Sequence, residues 1–219
     1  MDKLREEVWK ANLYLWKNNL VYGTQGNVSG IDRKSKKVCI KPSGVAYERL
    51  KQDMITAVGF DGSPAGKGTL KPSVDTPHHL FLYKNIPEIG GVCHTHSKFI
   101  TVFSILGMNV PVLTTAHADV FGAEIPVTRY VDNAGENIGR QLLKAYEKTK
   151  CNAIILGRHG LFTVAETPEK SAFYALMAEY CAEVSYYAIT AGKSAIKPLG
   201  NKEIDKWYGR YHSSRYGQK

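Results

Sequence analysis

The segment Gly91-Val92-Cys93-His94-Thr95-His96 puts two imidazoles two residues apart at the end of a short apolar run. In an extended chain, positions i and i+2 point to the same side, so a strand here offers one ion two nitrogen ligands. Gly157-Arg158-His159-Gly160 supplies a third, a histidine enclosed by glycines between apolar strands expected over 153–156 and 161–164. Three neutral histidines leave positions on a divalent ion open to substrate or water, as in a catalytic rather than a structural site. Asp75 is placed to join or adjust that set. Cys39, Cys93, Cys151 and Cys181 contain no C-x-x-C pair, so they read as reduced, buried thiols and leave any metal to histidine and carboxylate.

Three further stretches suit an anion. Gly23-Thr24-Gln25-Gly26-Asn27-Val28-Ser29-Gly30 is rich in glycine and small polar residues, and either cradles a ligand with its backbone amides or is a plain surface turn. Lys41-Pro42-Ser43-Gly44 and Lys71-Pro72-Ser73-Val74-Asp75-Thr76-Pro77 are small turns led by a cation. In the second, Thr76 or Asp75 caps a helix whose first position is Pro77, which leaves free amides and the positive end of the helix dipole facing outward. Together these converge on a phosphate, which wants several N–H and hydroxyl donors with a cation nearby. Neither G-x-x-x-x-G-K-[ST] nor G-x-G-x-x-G occurs, which removes the usual nucleotide-binding readings. Thr114-Thr115-Ala116-His117-Ala118-Asp119 places an acid among small residues, as a solvated loop acid or a functional one.

The elements that must hold these groups follow from periodicity. Helices are expected over 3–18, 77–84, 97–106, 134–148 and 168–191, and strands over 37–40, 54–60 and 125–127 besides the two flanking His159. The turn Asp61-Gly62-Ser63-Pro64 gives the strand at 54–60 the layout of a hairpin, so antiparallel pairing is expected. His78 and His79, at a helix start, read as polar or capping residues. The tyrosine-rich end from Trp207 onward reads as a disordered or docking tail. At 219 residues and 43% hydrophobic content the chain suits one domain, 1–219. No apolar run approaches the ~20 residues of a membrane span, and the N-terminus lacks the layout of a signal peptide, so a cytoplasmic protein is expected. The formal charge of +9 is dispersed rather than interleaved with aromatics, which argues against nucleic acid and membrane as partners.

Taken in order, Gly26-Asn27-Val28-Ser29, Lys41-Pro42-Ser43-Gly44, Pro72-Ser73-Val74-Asp75-Thr76, His94-Thr95-His96-Ser97, Thr114 to Asp119, His159-Gly160 and Tyr216-Gly217-Gln218 resemble the class II aldolase and L-ribulose-5-phosphate 4-epimerase family. Asp75, where the aldolases place glutamate, together with the Thr-Thr-x-His-Ala-Asp run and the Tyr-Gly-Gln end, resembles the epimerase branch. The resemblance implies an α/β, three-layer αβα fold with a central, mainly antiparallel sheet. It implies zinc, or another divalent ion, on His94, His96 and His159 with Asp75 beside or on it. It implies phosphate contacts from Gly26, Asn27, Ser43, Gly44, Ser73 and Val74, with Lys41 as the adjoining cation. It also implies a homotetramer in which Asp119 reaches a neighbour's site, with Asp119 and Tyr216 as acid and base. Val74 departs from the pattern, standing where those epimerases usually show a second serine. The stretch after Arg129 is also shorter than theirs.

The implied reaction is epimerisation of L-ribulose 5-phosphate at C4. The hydrogen on C4 is not α to the C2 ketone, so stereochemistry there changes through cleavage of C3–C4 and re-addition on the other face of the aldehyde. A Lewis acid holds the enediolate charge, and two acid/base groups on opposite sides move the hydroxyl proton. The alternative is a class II aldolase that releases dihydroxyacetone phosphate and an aldehyde. A third reading, a non-catalytic scaffold of the adducin type, is opposed by the intact histidines.

Overall fold

The computed structural model describes residues 1–65, 70–192 and 195–213. Among them six strands form one sheet: β1 (Asn27–Asp32), β2 (Lys37–Ile40), β3 (Thr56–Gly59), β4 (Gly91–Thr95), β5 (Ala153–Leu156) and β6 (Gly160–Ala165). The spatial order is β3-β2-β1-β4-β6-β5, and every neighbouring pair is antiparallel. The helices are α1 (Asp2–Lys17), α2 (Thr76–Asn85), α3 (Lys98–Leu106), α4 (Thr115–Phe121), α5 (Asn137–Thr149), α6 (Pro168–Gly192) and α7 (Asn201–Tyr211). None of them is long and apolar enough to cross a membrane.

Strand periodicity sorts the sheet's side chains into two cores. Val38, Val58, Val92, Phe162 and Val164 face Leu80, Leu82 and Tyr83 of α2 and Ile138 and Leu142 of α5. Val28, Cys39, Cys93, Leu161 and Ala165 face the other way, onto Val8 and Leu15 of α1 and Ala172, Ala175 and Ala178 of α6. The architecture is therefore a three-layer αβα sandwich around an antiparallel sheet. Because β4 is central and covered on both sides, all five of its residues are buried, and its register fixes which way His94 and His96 point. The same alternation puts them on the α2 side with Val92.

The close seat of α6 needs glycine. A Cβ on Gly30 would lie 2.6 Å from Pro168 Cγ and 2.8 Å from Leu4 Cδ1, and one on Gly91 would run into the Thr167 carbonyl.

Several expectations are corrected. Residues from Asn27 onward belong to β1, so only the first part of the glycine-rich stretch is a turn. The strand at 54–60 shortens to β3, preceded by a 3-10 turn at Gln52–Met54. Residues 125–127 make only isolated bridges, Val110 with Ile125 and Val127 with Ile155. The stretch carrying His117 and Asp119 is helix α4, capped by the Thr114 hydroxyl, which accepts from His117 N–H. The start of the terminal stretch is helical too, α7 packing Ile204 against Val112 and Ala118.

Gly91→Ala is expected to destabilise the protein by about 1–3 kcal/mol through overpacking. Gly209→Ala, in an open helical position, should stabilise it by about 0.5–1 kcal/mol. Urea unfolding of the two variants checks the opposite signs.

Candidate metal centre and anion cleft

His94 and His96 project from the end of β4, and His159 from the turn joining β5 to β6. Their ligand nitrogens lie within 4.8 Å of one another, the single histidine, cysteine or acid group of metal-site geometry found among the described residues. The His94 and His96 rings are each aimed by an outer partner. His94 stacks on Phe162 at 4.3 Å between ring centroids, and its Nδ1–H donates to Leu161 O at 2.8 Å. His96 Nδ1–H donates to the Gln25 side-chain oxygen at 3.1 Å. These partners fix the tautomers and leave a lone pair on each Nε2.

The two Nε2 atoms face each other at 2.9 Å. With both Nδ1 protons engaged, neither has a proton to share, so the pair is repulsive until a cation lies between them. Two imidazole ligands of a tetrahedral zinc sit about 3.3 Å apart, from Zn–N of ~2.0–2.1 Å, so a small adjustment seats the ion. Burial pushes the His94 ring down to about 3, and burial with the neighbouring His159 lowers His96. Burial also lowers His159. All three are therefore neutral and ligating at pH 7. The residues fit a divalent metal.

Asp75 lines the same cleft but stands outside the histidine cluster. It occupies the N-cap position of α2 without capping it. Instead Asn27 Nδ2 donates to its Oδ2 at 2.7 Å and Ser73 Oγ at 3.3 Å. Burial alone would raise the carboxyl, but His94, His79 and the Asn27 hydrogen bond hold it below the usual range. An ionised carboxylate thus sits beside three neutral rings, a net negative pocket for a cation.

The anion side lies across β1 and β2. Gly26, Asn27, Lys41, Ser43, Gly44, Ser73 and Val74 all line the cleft with the triad, in a volume of about 250 Å³. That is small for a ligand pocket and suits a short phosphorylated sugar better than a nucleotide. The two Lys-Pro-Ser turns are tied together: Ser43 N–H donates to Lys71 O at 2.9 Å and Ser73 N–H to Lys41 O at 3.1 Å. Those amides are therefore spent, whereas the N–H groups of Gly26, Gly44 and Val74 make no backbone hydrogen bond among the described residues. Val74 is 73% exposed, an apolar side chain at the mouth. Lys41 is only 1% exposed, its ammonium bonded to Thr24 O at 3.1 Å with no carboxylate partner among the described residues. Burial pushes it down to about 8.

Four residues that hold the site escaped the sequence reading. Gln25 orients His96. Ser104 of α3 accepts from His159 N–H at 2.9 Å and donates to Leu156 O at 2.6 Å, pinning the turn that carries His159. Glu179 of α6 accepts from Ser97 Oγ at 2.7 Å, Phe99 N–H at 2.9 Å and Ile100 N–H at 3.0 Å, capping α3 just after His96. Asn133, after β-bridge residue Val127, lines the cleft. Only the glutamine's place in a glycine-rich turn gave any signal. Asp119 does not line this cleft, and its Oδ1 is buried without a partner among the described residues. Tyr216 lies outside the described residues.

The fold and the triad together define a class. The sequence profile described as class II aldolase and adducin N-terminal domain matches residues 6–186. The chain belongs to that family, and with its metal-binding histidines intact it is a catalytic, class II aldolase-type member, equipped for retro-aldol chemistry. Among curated relatives, L-ribulose-5-phosphate 4-epimerase UlaF of Salmonella paratyphi B is 37% identical over 230 aligned positions, covering 100% of both chains. Among solved structures, an L-fuculose 1-phosphate aldolase superposes with a TM-score of 0.86 at 24% identity, over 96% of this chain and 97% of that one. An aldolase II superfamily protein of Pseudomonas syringae gives 0.84 at 16% identity, over 99% and 86%. These structural likenesses establish the same three-layer fold.

Two measurements test the site. His94→Ala, His96→Ala and His159→Ala should each abolish stoichiometric divalent-metal binding, and Gln25→Ala should weaken it roughly 10-fold by freeing the His96 ring, as read by metal analysis and competition with a chelator. Lys41 carries its charge below about pH 8 and loses it above. The affinity for sulfate, whose charge is constant, is therefore expected to fall as pH rises from 7 to 9, a dependence that Lys41→Met removes.

Proposed function

We propose that this protein is a metal-dependent L-ribulose-5-phosphate 4-epimerase, acting as one domain over residues 1–219. The full-length likeness to a curated epimerase carries the choice of reaction. The joining of a histidine triad and a phosphate-sized cleft supports it.

In the substrate the phosphate is on C5. Cleavage of C3–C4 leaves the electron pair on C3 as the enediolate of dihydroxyacetone, while the C4 hydroxyl loses its proton and C4–C5 becomes glycolaldehyde phosphate. His94, His96 and His159, with Asp75 beside or on the ion, would hold a divalent metal, zinc in our reading, which would supply Lewis-acid stabilisation of the enediolate charge. The cradle does the rest. Lys41 provides the charge, and the N–H groups of Gly26, Gly44 and Val74 with the Ser43 hydroxyl the donors that keep the aldehyde's phosphate anchored, while the Asn27 amide and the Ser73 hydroxyl border the cradle and give their protons to Asp75 and to each other. The aldehyde turns about that anchor, presents its other face, and re-addition regenerates C3–C4 with the C4 configuration inverted. One acid/base group takes the hydroxyl proton and a second, across the aldehyde, returns one to the oxygen. We assign these roles to Asp119 and Tyr216.

Asp119 does not line its own chain's cleft, which supports a homotetramer with sites completed between subunits. Four buried free thiols accord with a cytoplasmic setting.

Metal-loaded protein incubated with L-ribulose 5-phosphate is expected to yield D-xylulose 5-phosphate and little free glycolaldehyde phosphate. Release of dihydroxyacetone phosphate from a ketose 1-phosphate, without epimerisation, would establish the aldolase alternative. Asp119→Asn should lose at least about 100-fold in rate, in line with general acid–base catalysis, and His94→Asn should lose at least about 100-fold through the missing metal ligand and its charge stabilisation. Mixed subunits of the two variants should regain activity; no recovery on mixing would exclude a trans role for Asp119.

A further inference from the structure

Helix α2 carries polar groups where an apolar core would serve for packing alone. Thr76, His78 and His79 are buried along with Leu80, Phe81, Leu82 and Tyr83, and no side chain caps the helix. The two histidines expected as polar or capping residues are therefore core residues. Successive buried residues over 80–83 cover most of the helix circumference, so hydrophobic contact alone does not choose one seat for α2 on the sheet.

A polar stripe chooses it. Asp75, His79 and Tyr83 recur every four residues and share one face of α2. Asn27 and Ser29 stand two apart and share one face of β1. The stripes meet group to group: Asn27 Nδ2 donates to Asp75 Oδ2 at 2.7 Å, and the Ser29 hydroxyl is hydrogen-bonded to His79 Nδ1 at 2.7 Å and to the Tyr83 hydroxyl at 2.8 Å. Ser29, His79 and Tyr83 are fully buried. A slip of α2 along β1 would strand these groups away from water, so the network is satisfied in one register.

The His79 ring also reaches the metal centre from behind. It meets Phe162 in a T, with 5.6 Å between centroids and 63° between planes. Phe162 stands directly opposite His94 in the β4–β6 ladder and stacks on its ring at 4.3 Å. Burial pushes His79 down to about 3, so at neutral pH it brings no charge to the centre; what it supplies is place.

We infer that His79 is a positioning residue for the metal centre: held by Ser29, it sets the Asp75 carboxylate through the register of α2 on β1 and the His94 ring through Phe162. The inference rests on the histidine triad and not on which sugar phosphate the cleft takes. One side chain thus places two groups from different elements, a carboxylate at a helix start and an imidazole on a strand. Leucine at position 79 would fill space but, without a hydrogen bond, would hold neither the register nor the ring plane.

The full chain loaded with cobalt(II) tests this, since the visible absorption of the ion follows ligand geometry rather than protein stability. Ser29→Ala and His79→Leu should each alter the cobalt bands and weaken zinc, in competition with a chelator, by roughly 3-fold and roughly 10-fold, at or just below what outer partners of metal ligands contribute. Tyr83→Phe removes a hydrogen bond from the same network but leaves the Ser29–His79 bond in place. It should lower the urea midpoint and keep the cobalt spectrum and zinc affinity of the unaltered protein. Unaltered bands and zinc affinity in Ser29→Ala, which decides the matter if His79→Leu does not fold, would overturn the inference. So would a Tyr83→Phe spectrum changed as much as that of Ser29→Ala, because the network would then act through stability alone. No cobalt band in the unaltered protein would overturn the metal centre and this inference with it. The expected changes in a protein that epimerises nothing would count against the proposed reaction and leave the role of His79 standing.

Discussion

The site depends on one unfavourable approach, two imidazole lone pairs held 2.9 Å apart. Each ring alone could relieve it by exchanging the proton on Nδ1 for one on Nε2. The Leu161 carbonyl and the Gln25 amide oxygen prevent that by occupying the Nδ1 protons. The His94 ring cannot retreat, because β4 is hydrogen-bonded on both edges and buried on both faces, and Phe162 backs it. Binding a cation turns this repulsion into coordination. The preorganisation is therefore stored in the sheet, whose register costs nothing further when the ion arrives.

Charge is then graded across the cleft. Three rings kept neutral by burial and one ionised carboxylate favour a cation at the centre, while a buried lysine without a carboxylate partner among the described residues favours an anion on the flank. Had Asp75 paired with Lys41, both attractions would have cancelled. Asn27 keeps them apart by donating to Asp75, and its own Oδ1 is left buried without a partner among the described residues. Such an orphaned acceptor is costly unless a ligand or water satisfies it.

What could be read from sequence was what local periodicity writes. His94 and His96 were legible because a two-residue spacing on a strand fixes their common side, and His159 because glycine on either side marks a turn between apolar runs. The antiparallel sheet and the helices at α1, α2, α3, α5 and α6 followed from the same patterns. Partnerships across the fold were not legible. Ser104 and Glu179 lie 55 and 80 residues from His159 N–H and Phe99 N–H, the groups they bond, and nothing in their neighbourhoods announces it. The strand β1 was hidden because Asn27, Ser29 and Gly30 look like turn residues. They are strand residues here since Ser29 bonds His79 and Tyr83 in the core and Gly30 admits Pro168. Helix α4 was missed because its seven residues carry too few apolar positions to set a period.

A shared half-reaction explains how one fold accommodates aldolases and epimerases. Both need a place for enediolate charge and both need a phosphate anchor; they differ in which fragment carries the phosphate. With a 1-phosphate the anchor holds the enediolate, and the aldehyde is free to leave. With a 5-phosphate the anchor holds the aldehyde, while the enediolate is retained at the triad, so neither fragment departs before re-addition. The outcome is then set less by the triad than by what restrains each fragment. Val74 enters here under the proposed reaction: it would offer the phosphate an N–H but no hydroxyl. The cradle would then rely more on the Lys41 charge than a doubly hydroxylated turn does. A charge–charge anchor is less directional than a hydroxyl bond, and it would leave a tethered aldehyde freer to turn over within the cleft.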